Sequence, residues 1–282
     1  MQSFFVEIRR AVIVLFVVMY IGLGLLIWQI PDDKFHIYFL DVGQGDSIFI
    51  KTPENHQILI DGGAYGKVIE QLGEVMPYFD KSIDFVMLTH PDNDHLGGLV
   101  EVLKRYKVDN VVLTGIQDNS STYIEFLKVI DEKNINVYFA DSDMDLYFGN
   151  VLFDTIFPND SLIGKKFEAI NDTSLVTKIT FGKDTILLTG DLESAMEKRL
   201  ILSGADLSAD ILKAGHHGSK TSSTIEFLNA VSPRVVVIQV GKNNSYGHPA
   251  PTILRNFYRA NVEKIYRTDI DGRIEFTLPL TF

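Results

Sequence analysis

The residues best suited to chemistry in this chain lie in one hexapeptide, His90-Pro-Asp-Asn-Asp-His95. It follows the apolar run 85–88 and precedes the glycine pair 97–98. Imidazole and carboxylate groups suit Zn, Mn or Fe, and a buried strand before them would fix their directions. A surface turn is the alternative interpretation, because Asp, Asn and Pro are ordinary turn residues. Two histidines that flank two aspartates favour the metal site.

The composition limits the kind of metal site that is possible. The chain has 282 residues, of which 46% are hydrophobic, and it contains no cysteine. A chain of this length can bury a sizeable core, either as one large domain or as two small ones. The absence of cysteine excludes disulfides, thiolate ligands and a cysteine nucleophile. Any metal must therefore be bound through nitrogen and oxygen atoms.

Four further segments repeat one pattern, in which an apolar strand runs directly into polar and glycine residues. They are Asp41-Val-Gly-Gln-Gly-Asp46, Asp61-Gly-Gly63, Thr189-Gly-Asp191 and Gly215-His-His-Gly-Ser219. Active sites gather on such strand-end loops because the scaffold is rigid while the loops present ligands. Asp41 and Asp61 could instead be turn formers, Asp191 a helix N-cap, and the paired histidines an exposed turn. Together with the hexapeptide, these segments predict a two-metal site with one bridging carboxylate.

The elements that must position these groups are short. From residue 34 onwards, apolar runs alternate with helix-like stretches, and no low-complexity linker or internal repeat is present. The pattern predicts thirteen strands and six helices in one domain at residues 34–282. We expect two sheets with outer helices, although periodicity alone does not fix their arrangement.

A membrane anchor is predicted at the N-terminus. Residues 11–30 contain no charged side chain, and about 20 apolar residues span a bilayer. Arg9 and Arg10 precede this run, so residues 1–10 are expected to be cytoplasmic and the domain after the anchor extracytoplasmic. A signal peptide and a buried core helix are the alternatives. The run is long for either, and no small-residue cleavage site follows it.

The charge balance bears on the substrate. The formal net charge of the chain is −11, and residues 1–30 contribute Glu7, Arg9 and Arg10, a net of +1. The remaining domain therefore carries −12, which gives it no long-range attraction for nucleic acid. This counts against a dedicated nucleic-acid binder. The attraction of a polyanionic substrate would then depend on bound metal and on nearby lysines, such as Lys213 and Lys220, that could offset phosphate charge locally.

In the order and number of its motifs, the region from about residue 35 to 280 resembles the ComEC-like domains of the metallo-β-lactamase superfamily. Two more segments carry the resemblance, Asn171-Asp-Thr-Ser174 and Tyr246-Gly-His-Pro249. The resemblance implies an α/β fold, a four-layer αββα sandwich with the metal site at one edge between the sheets. It also implies two divalent metal ions, Mn or Zn, as cofactors.

The resemblance further implies a role for each ligand. His90 and Asp92 would bind the first metal, Asp94 and His95 the second, while Asp191 would bridge them and His216 would complete the second site. The superfamily usually has histidine where this chain has Asp92, and another first-site histidine near residues 171–174, where this chain has none. The oxygen-rich first site favours Mn or Mg over Zn.

Asp94, His217 and His248 are the candidate catalytic residues. Asp94 is expected to orient the attacking hydroxide as well as to bind metal. His217 and His248 could bind the leaving phosphate, orient a ligand or donate a proton. For His248, a plain turn residue before Pro249 is the alternative.

Three functions are carried forward. The first is a membrane-anchored phosphodiesterase or nuclease that acts on DNA in uptake or degradation. A membrane-channel partner would then be needed, because the chain lacks the multi-span channel of ComEC. The second is a hydrolase of a small or envelope-derived ester or phosphodiester. The third is a non-catalytic anchored binding module, against which the presence of all six candidate ligands weighs.

Overall fold

The computed structural model describes residues 2–28, 32–142 and 144–280. It divides into two units, Met1–Asp33 and Lys34–Phe282. Helix α1 (Gln2–Trp28) forms the first unit, and the last two residues of the predicted membrane span, 29 and 30, lie outside the described residues. No helix within the described parts of the chain combines the length and apolarity needed to cross a bilayer. The transmembrane anchor stays a prediction from the sequence.

The second unit contains fourteen strands and seven α-helices within the described residues. The strands are β1 (Phe35–Phe39), β2 (Ile48–Lys51), β3 (Gln57–Ile60), β4 (Ser82–Met87), β5 (Lys107–Leu113), β6 (Asn136–Phe139), β7 (Asp145–Phe148), β8 (Val151–Phe157), β9 (Val176–Phe181), β10 (Asp184–Leu188), β11 (Ile211–Lys213), β12 (Val235–Ile238), β13 (Lys264–Arg267) and β14 (Ile274–Leu278). The helices are α2 (Lys67–Val75), α3 (Asn93–Arg105), α4 (Ser121–Glu132), α5 (Ser194–Ser203), α6 (Ile225–Val231), α7 (Pro251–Arg259) and α8 (Thr268–Asp271).

The strands form two sheets of seven, in the orders β14-β1-β2-β3-β4-β5-β6 and β13-β12-β11-β10-β9-β8-β7. Both sheets are mixed. In the first, β14 to β3 are antiparallel and β3 to β6 are parallel. In the second, β7 to β10 are antiparallel and β10 to β13 are parallel.

The alternation of side chains along the strands divides the apolar residues into three cores. In β3, Ile58 and Ile60 pack between the sheets, whereas Leu59 packs with residues of α2 and α3. In β10, Leu188 faces the space between the sheets, whereas Leu187 packs with residues of α5 and α6. The layers therefore run helix, sheet, sheet, helix. The predicted αββα sandwich is confirmed.

The strand ends bring the predicted site residues to one edge. His90 lies three residues after the end of β4, Asp191 three after β10 and His216 three after β11. Helix α3 begins at Asn93, so Asp94 and His95 lie in its first turn. The apolar spacing of the sequence predicts this helix over residues 96–106, and the predicted start is wrong because Asp92 adopts the extended N-cap conformation.

Candidate metal centre

His95 is held by a carboxylate. It lies in the first turn of α3, fully buried, with Nδ1 2.8 Å from Asp61 Oδ2 and Nε2 3.3 Å from Asp191 Oδ2. The Asp61 carboxylate also accepts hydrogen bonds from the Thr89 amide at 2.9 Å and the Thr89 hydroxyl at 2.7 Å. A carboxylate that accepts the Nδ1 proton leaves the Nε2 lone pair of a neutral imidazole free for metal. Asp61 therefore orients His95 and is more than a turn former.

The Asp61 carboxylate also orients His90, through the hydroxyl group of Thr89. Its Nδ1 is 3.0 Å from Thr89 Oγ1 and 3.3 Å from Ser174 Oγ. Because the Thr89 hydroxyl proton is donated to Asp61, the hydroxyl oxygen accepts from His90 Nδ1–H. The Nε2 atom of His90 is buried and has no hydrogen-bond partner among the described residues.

His217 points into the same centre. Its Nδ1 is 2.9 Å from the carbonyl oxygen of Gln239, and a carbonyl can only accept, so Nδ1 carries the proton. Its Nε2 lies 3.2 Å from Asp94 Oδ2 and 3.2 Å from Asp191 Oδ2. His216 and His217 both have left-handed backbone, with φ of 45° and 53°, which non-glycine residues rarely adopt. This turn buries His217 and leaves His216 partly exposed.

Four sets of donor atoms could hold a metal ion, and within each set the atoms lie within 4.8 Å of one another. The sets are His90, His95 and Asp191; Asp94, His95 and His217; Asp46, Asp191 and His217; and Asp46, Asp61 and His95. They overlap because His95, Asp191 and His217 recur. The four sets therefore describe one compact centre.

Not every predicted ligand belongs to these sets. Asp92 Oδ2 is 3.6 Å from His90 Nε2, with a side chain 43% exposed. His216 Nε2 is 3.9 Å from Asp191 Oδ2, and its Nδ1 is 3.0 Å from Glu193 Oε1. His216 therefore lies at the rim, and the neighbouring His217 is closer to Asp191. The individual ligand roles stay predictions.

His248 and Asn171 flank the centre. The ring of His248 lies 5.8 Å from that of His216, and its Nδ1 is buried with no hydrogen-bond partner among the described residues. Asn171 Nδ2 is 3.3 Å from His216 Nδ1, in the segment near which the superfamily usually has a first-site histidine and this chain has none. The segment at 171–174 thus reaches the site with an amide in place of an imidazole.

Asp41 is the strand-end aspartate that stays outside the centre. Its Oδ1 accepts a hydrogen bond from the Gly43 amide at 3.1 Å, and its Oδ2 is 3.0 Å from Lys67 Nζ. Asp41 therefore shapes its own turn and pairs with a lysine. Of the two interpretations open from the sequence, the turn former fits this geometry.

Two central residues, Asp46 and Lys213, were not among the predicted ligands. Both are buried, and Lys213 Nζ contacts the Asp46 carboxylate, donates to the Gly190 carbonyl at 2.8 Å and lies 3.5 Å from Asp191 Oδ1. Lys213 was expected near a phosphate, but it faces carboxylates instead. For Lys213, the sequence offered one signal of a central position: a charged residue at the end of an apolar strand.

Asp46 reaches the centre because a glycine, Gly45, occupies the point where the preceding turn comes closest to α3. Gly45 has φ of 119°, and a Cβ atom there would lie 2.0 Å from the Asp94 carbonyl oxygen. The Asp46 amide donates to that same oxygen at 3.2 Å. A glycine is therefore required for this turn to pack on α3.

The centre holds more negative than positive charge. The carboxylates of Asp46, Asp61, Asp94 and Asp191 face the single ammonium of Lys213, which leaves −3 before the histidines are counted. Such an excess is costly in a buried site unless cations offset it.

The pKa shifts reflect this excess. Burial lowers the pKa of His95 and of His217, but nearby carboxylates, Asp191 foremost, outweigh it and raise both well above the ordinary value. Burial raises the pKa of Asp94 and of Asp191, yet His217 and His95 hold both below the usual range. Protons on the imidazoles thus supply the missing positive charge.

These residues fit a divalent cation. The Nε2 atoms of His90, His95 and His217 are all buried, and none has a hydrogen-bond partner among the described residues. A divalent ion would satisfy these nitrogen atoms and would replace the protons that neighbouring carboxylates otherwise keep on His95 and His217. Nitrogen and oxygen donors without sulfur suit Zn, Mn or Fe.

The comparisons with known proteins agree with this geometry. The family model described as metallo-beta-lactamase superfamily matches residues 40–242. The chain belongs to the metallo-β-lactamase superfamily. Its two mixed sheets with outer helices are those of this hydrolase fold.

The curated relatives include a competence protein and a ComE operon protein. ComE operon protein 3 of Bacillus subtilis is 30% identical over 269 residues, covering 89% of this chain and 34% of that protein. Competence protein ComA of Neisseria gonorrhoeae is 30% identical over 276 residues, covering 91% and 36%. The predicted resemblance to the ComEC-like family is confirmed. This chain spans about a third of the length of these relatives.

Solved structures share the fold. The metallo-beta-lactamase fold protein YhfI from Bacillus subtilis superposes with a TM-score of 0.57 at 11% identity, covering 86% of this chain and 100% of that one. At this identity, the likeness concerns the fold alone.

Asp61→Asn is expected to weaken metal binding by about 10- to 100-fold without unfolding the domain, because an amide offers one neutral acceptor oxygen where the carboxylate uses two charged ones to hold Thr89 and His95 Nδ1–H. A chelator competition titration measures this affinity. Asp41→Asn, whose carboxylate lies outside the donor sets, is the matched control. An affinity within twofold of wild type in Asp61→Asn would contradict the orienting role.

Stability is expected to depend on pH in opposite ways with and without metal. The raised pKa values of His95 and His217 stabilise the metal-free fold fully below their unfolded value of about 6.5, and this contribution is lost as pH rises through the folded values. Metal binding must displace these protons, so metal affinity rises over the same interval. Thermal unfolding from pH 6 to pH 9, with chelator or with Mn²⁺, tests both trends. Metal-free stability that increases with pH in this window would overturn the protonation scheme.

Proposed function

We propose that this chain is a metal-dependent phosphodiesterase whose substrate is nucleic acid. The observation that carries the proposal is the convergence of the buried Nε2 atoms of His95 and His217 on the Asp191 carboxylate, at 3.3 and 3.2 Å. Hydrolysis of phosphodiesters needs a water activated near neutral pH and positive charge facing the phosphoryl oxygens. A metal bound to these atoms supplies both.

We propose two metal ions per domain, with Mn favoured over Zn. The net charge of −3 on the four carboxylates and Lys213 supports two divalent ions, because a single one would leave the centre negative before substrate binds. The exposed Asp92 carboxylate beside His90 adds an oxygen donor where an imidazole would favour Zn.

We assign separate roles in metal binding and water orientation to Asp191, Asp94 and His217. Asp191 lies next to both His95 and His217, so we assign it the bridging position. Asp94, 3.2 Å from His217 Nε2, is placed to bind metal and to orient the attacking water. We assign His217 the ligand position that the sequence analysis gave to His216.

His248 is assigned a different task. Burial lowers its pKa, with a further contribution from the charges of His216 and His217, so the ring is neutral near pH 7. A neutral imidazole offers one N–H donor, and the buried Nδ1 of His248 has no hydrogen-bond partner among the described residues. We assign this ring to a phosphoryl oxygen of the substrate.

The choice of nucleic acid is supported by the resemblance to the ComEC-like family and by the curated relatives, one of which is named a competence protein. The charge of −12 after residue 30 fits a small phosphodiester equally well. A substrate panel separates the two.

Cleavage is tested with residues 34–282 loaded with Mn²⁺, on a single-stranded oligonucleotide and a chromogenic bis-phosphodiester. Wild type should cleave both substrates. The cleavage activity of His217→Ala should be lower by about 10³-fold or more, and this variant should bind less metal. His216→Ala, at the rim, is the matched comparison and should retain most of the metal. Cleavage of the small diester alone would replace nucleic acid as the substrate. Metal-free protein without activity would contradict the proposal.

We also propose that residues 11–30 anchor the enzyme in a membrane, supported by their twenty uncharged positions. A tagged full-length chain should then stay with the membrane fraction after a carbonate wash, whereas residues 34–282 should be released. Extraction of the full-length chain by carbonate would contradict the anchor.

A further inference from the structure

The loop at residues 241–249 presents an aromatic ring beside the metal centre. Tyr246 is 68% exposed, and its ring stacks on that of His248 with centroids 5.8 Å apart and an angle of 17° between the planes. One face of the tyrosine is therefore backed by a second ring, while the residue as a whole remains open to solvent. A flat, supported ring of this kind can accept another planar group.

The loop is held in shape by one side chain. Asn244 Oδ1 accepts hydrogen bonds from the amides of Tyr246 at 3.2 Å and His248 at 3.0 Å. Its Nδ2 donates to the carbonyl oxygens of Gly241 at 3.1 Å and His248 at 2.7 Å. Four hydrogen bonds from one amide define the backbone on both sides of the tyrosine. The ring is thus presented by an ordered turn.

The position of the ring is fixed relative to the centre from two sides. His248 lies 5.8 Å from the ring of His216, whose Nε2 is 3.9 Å from Asp191. At the start of the loop, the Gly241 amide donates to Gln44 Oε1 at 3.2 Å, in the turn that carries Asp46. The rings of His216, His248 and Tyr246 therefore lie in succession, from the rim of the metal centre to the loop.

We propose that Tyr246 is a stacking platform for an unpaired nucleobase beside the scissile phosphodiester, which makes single-stranded nucleic acid the preferred substrate. This inference rests on the proposed phosphodiesterase activity. Every base has a π-face, so stacking on an aromatic ring contributes affinity without requiring a particular sequence. A base in a duplex is already stacked and paired, so it cannot use the ring without being unpaired.

The charge of the domain strengthens the argument. At −12 after residue 30, the domain gains no long-range attraction for a polyanion, so short-range contacts must retain the strand. The stacking face supplies such a contact, and Lys242 adds one exposed cation on the same loop.

The test compares Mn²⁺-loaded wild type with Tyr246→Ala and Tyr246→Phe on a single-stranded oligonucleotide and on an abasic strand of equal length. Tyr246→Ala should raise KM on the normal strand by about 5- to 100-fold, the range expected for one lost base–aromatic stack, with little change in kcat. Tyr246→Phe keeps the ring and should match wild type. On the abasic strand, wild type and Tyr246→Ala should be equal.

Tyr78→Ala is the matched control. Tyr78 is 77% exposed and precedes β4, whereas His90 follows the other end of that strand, so its removal should leave KM unchanged. Equal bound metal and equal unfolding temperatures in all variants separate a binding effect from a folding one.

Each other outcome is decisive. Equal KM values for wild type and Tyr246→Ala on the normal strand overturn the stacking role while the nuclease assignment stands. A Tyr246→Ala defect of the same size on the abasic strand also overturns it. If wild type cleaves neither strand but cleaves the small diester, the inference falls together with the nucleic-acid substrate.

Discussion

The centre of this protein depends on one electrostatic constraint, a buried surplus of negative charge. Four carboxylates, three of them buried, meet one buried lysine at the edge of the two sheets, and burial makes such a surplus unfavourable unless cations balance it. Raised pKa values of His95 and His217 show protons taking this role. A metal ion takes the same role with more charge and with directed bonds to the imidazoles.

The rest of the fold serves to keep these groups aimed inward. Asp61 orients His95 directly and His90 through Thr89, while the Gln239 carbonyl orients His217. These partners come from both sheets, so the centre exists only when the sandwich is assembled. Gly45 allows the turn before Asp46 to pack directly on α3, and this contact places the Asp46 carboxylate in the centre.

The sequence predicted much of this because strand ends and polar clusters are local signals. Apolar runs that end in His, Asp and Gly predict the strands and the polar clusters at their ends, whereas the sandwich and the edge site were implied by the resemblance to the ComEC-like domains. The contribution of Lys213 could not be read in this way, since it depends on contacts between β11, Asp46 and the loop after β10. Strand β7 is the one described strand without a counterpart among the thirteen predicted, because its four residues, largely exposed, alternate too briefly to show a period. The choice between His216 and His217 is equally non-local, because the left-handed turn decides which ring is buried.

Anomalous diffraction at the manganese edge, from crystals of residues 34–282 grown with Mn²⁺, tests the metal centre most directly. The account predicts two peaks within coordination distance of the cluster, with His95 Nε2 and His217 Nε2 among the ligands and Asp191 between the ions. An occupied site elsewhere, or a cluster that stays without a peak while His95 and His217 keep their contacts to Asp191, would contradict it.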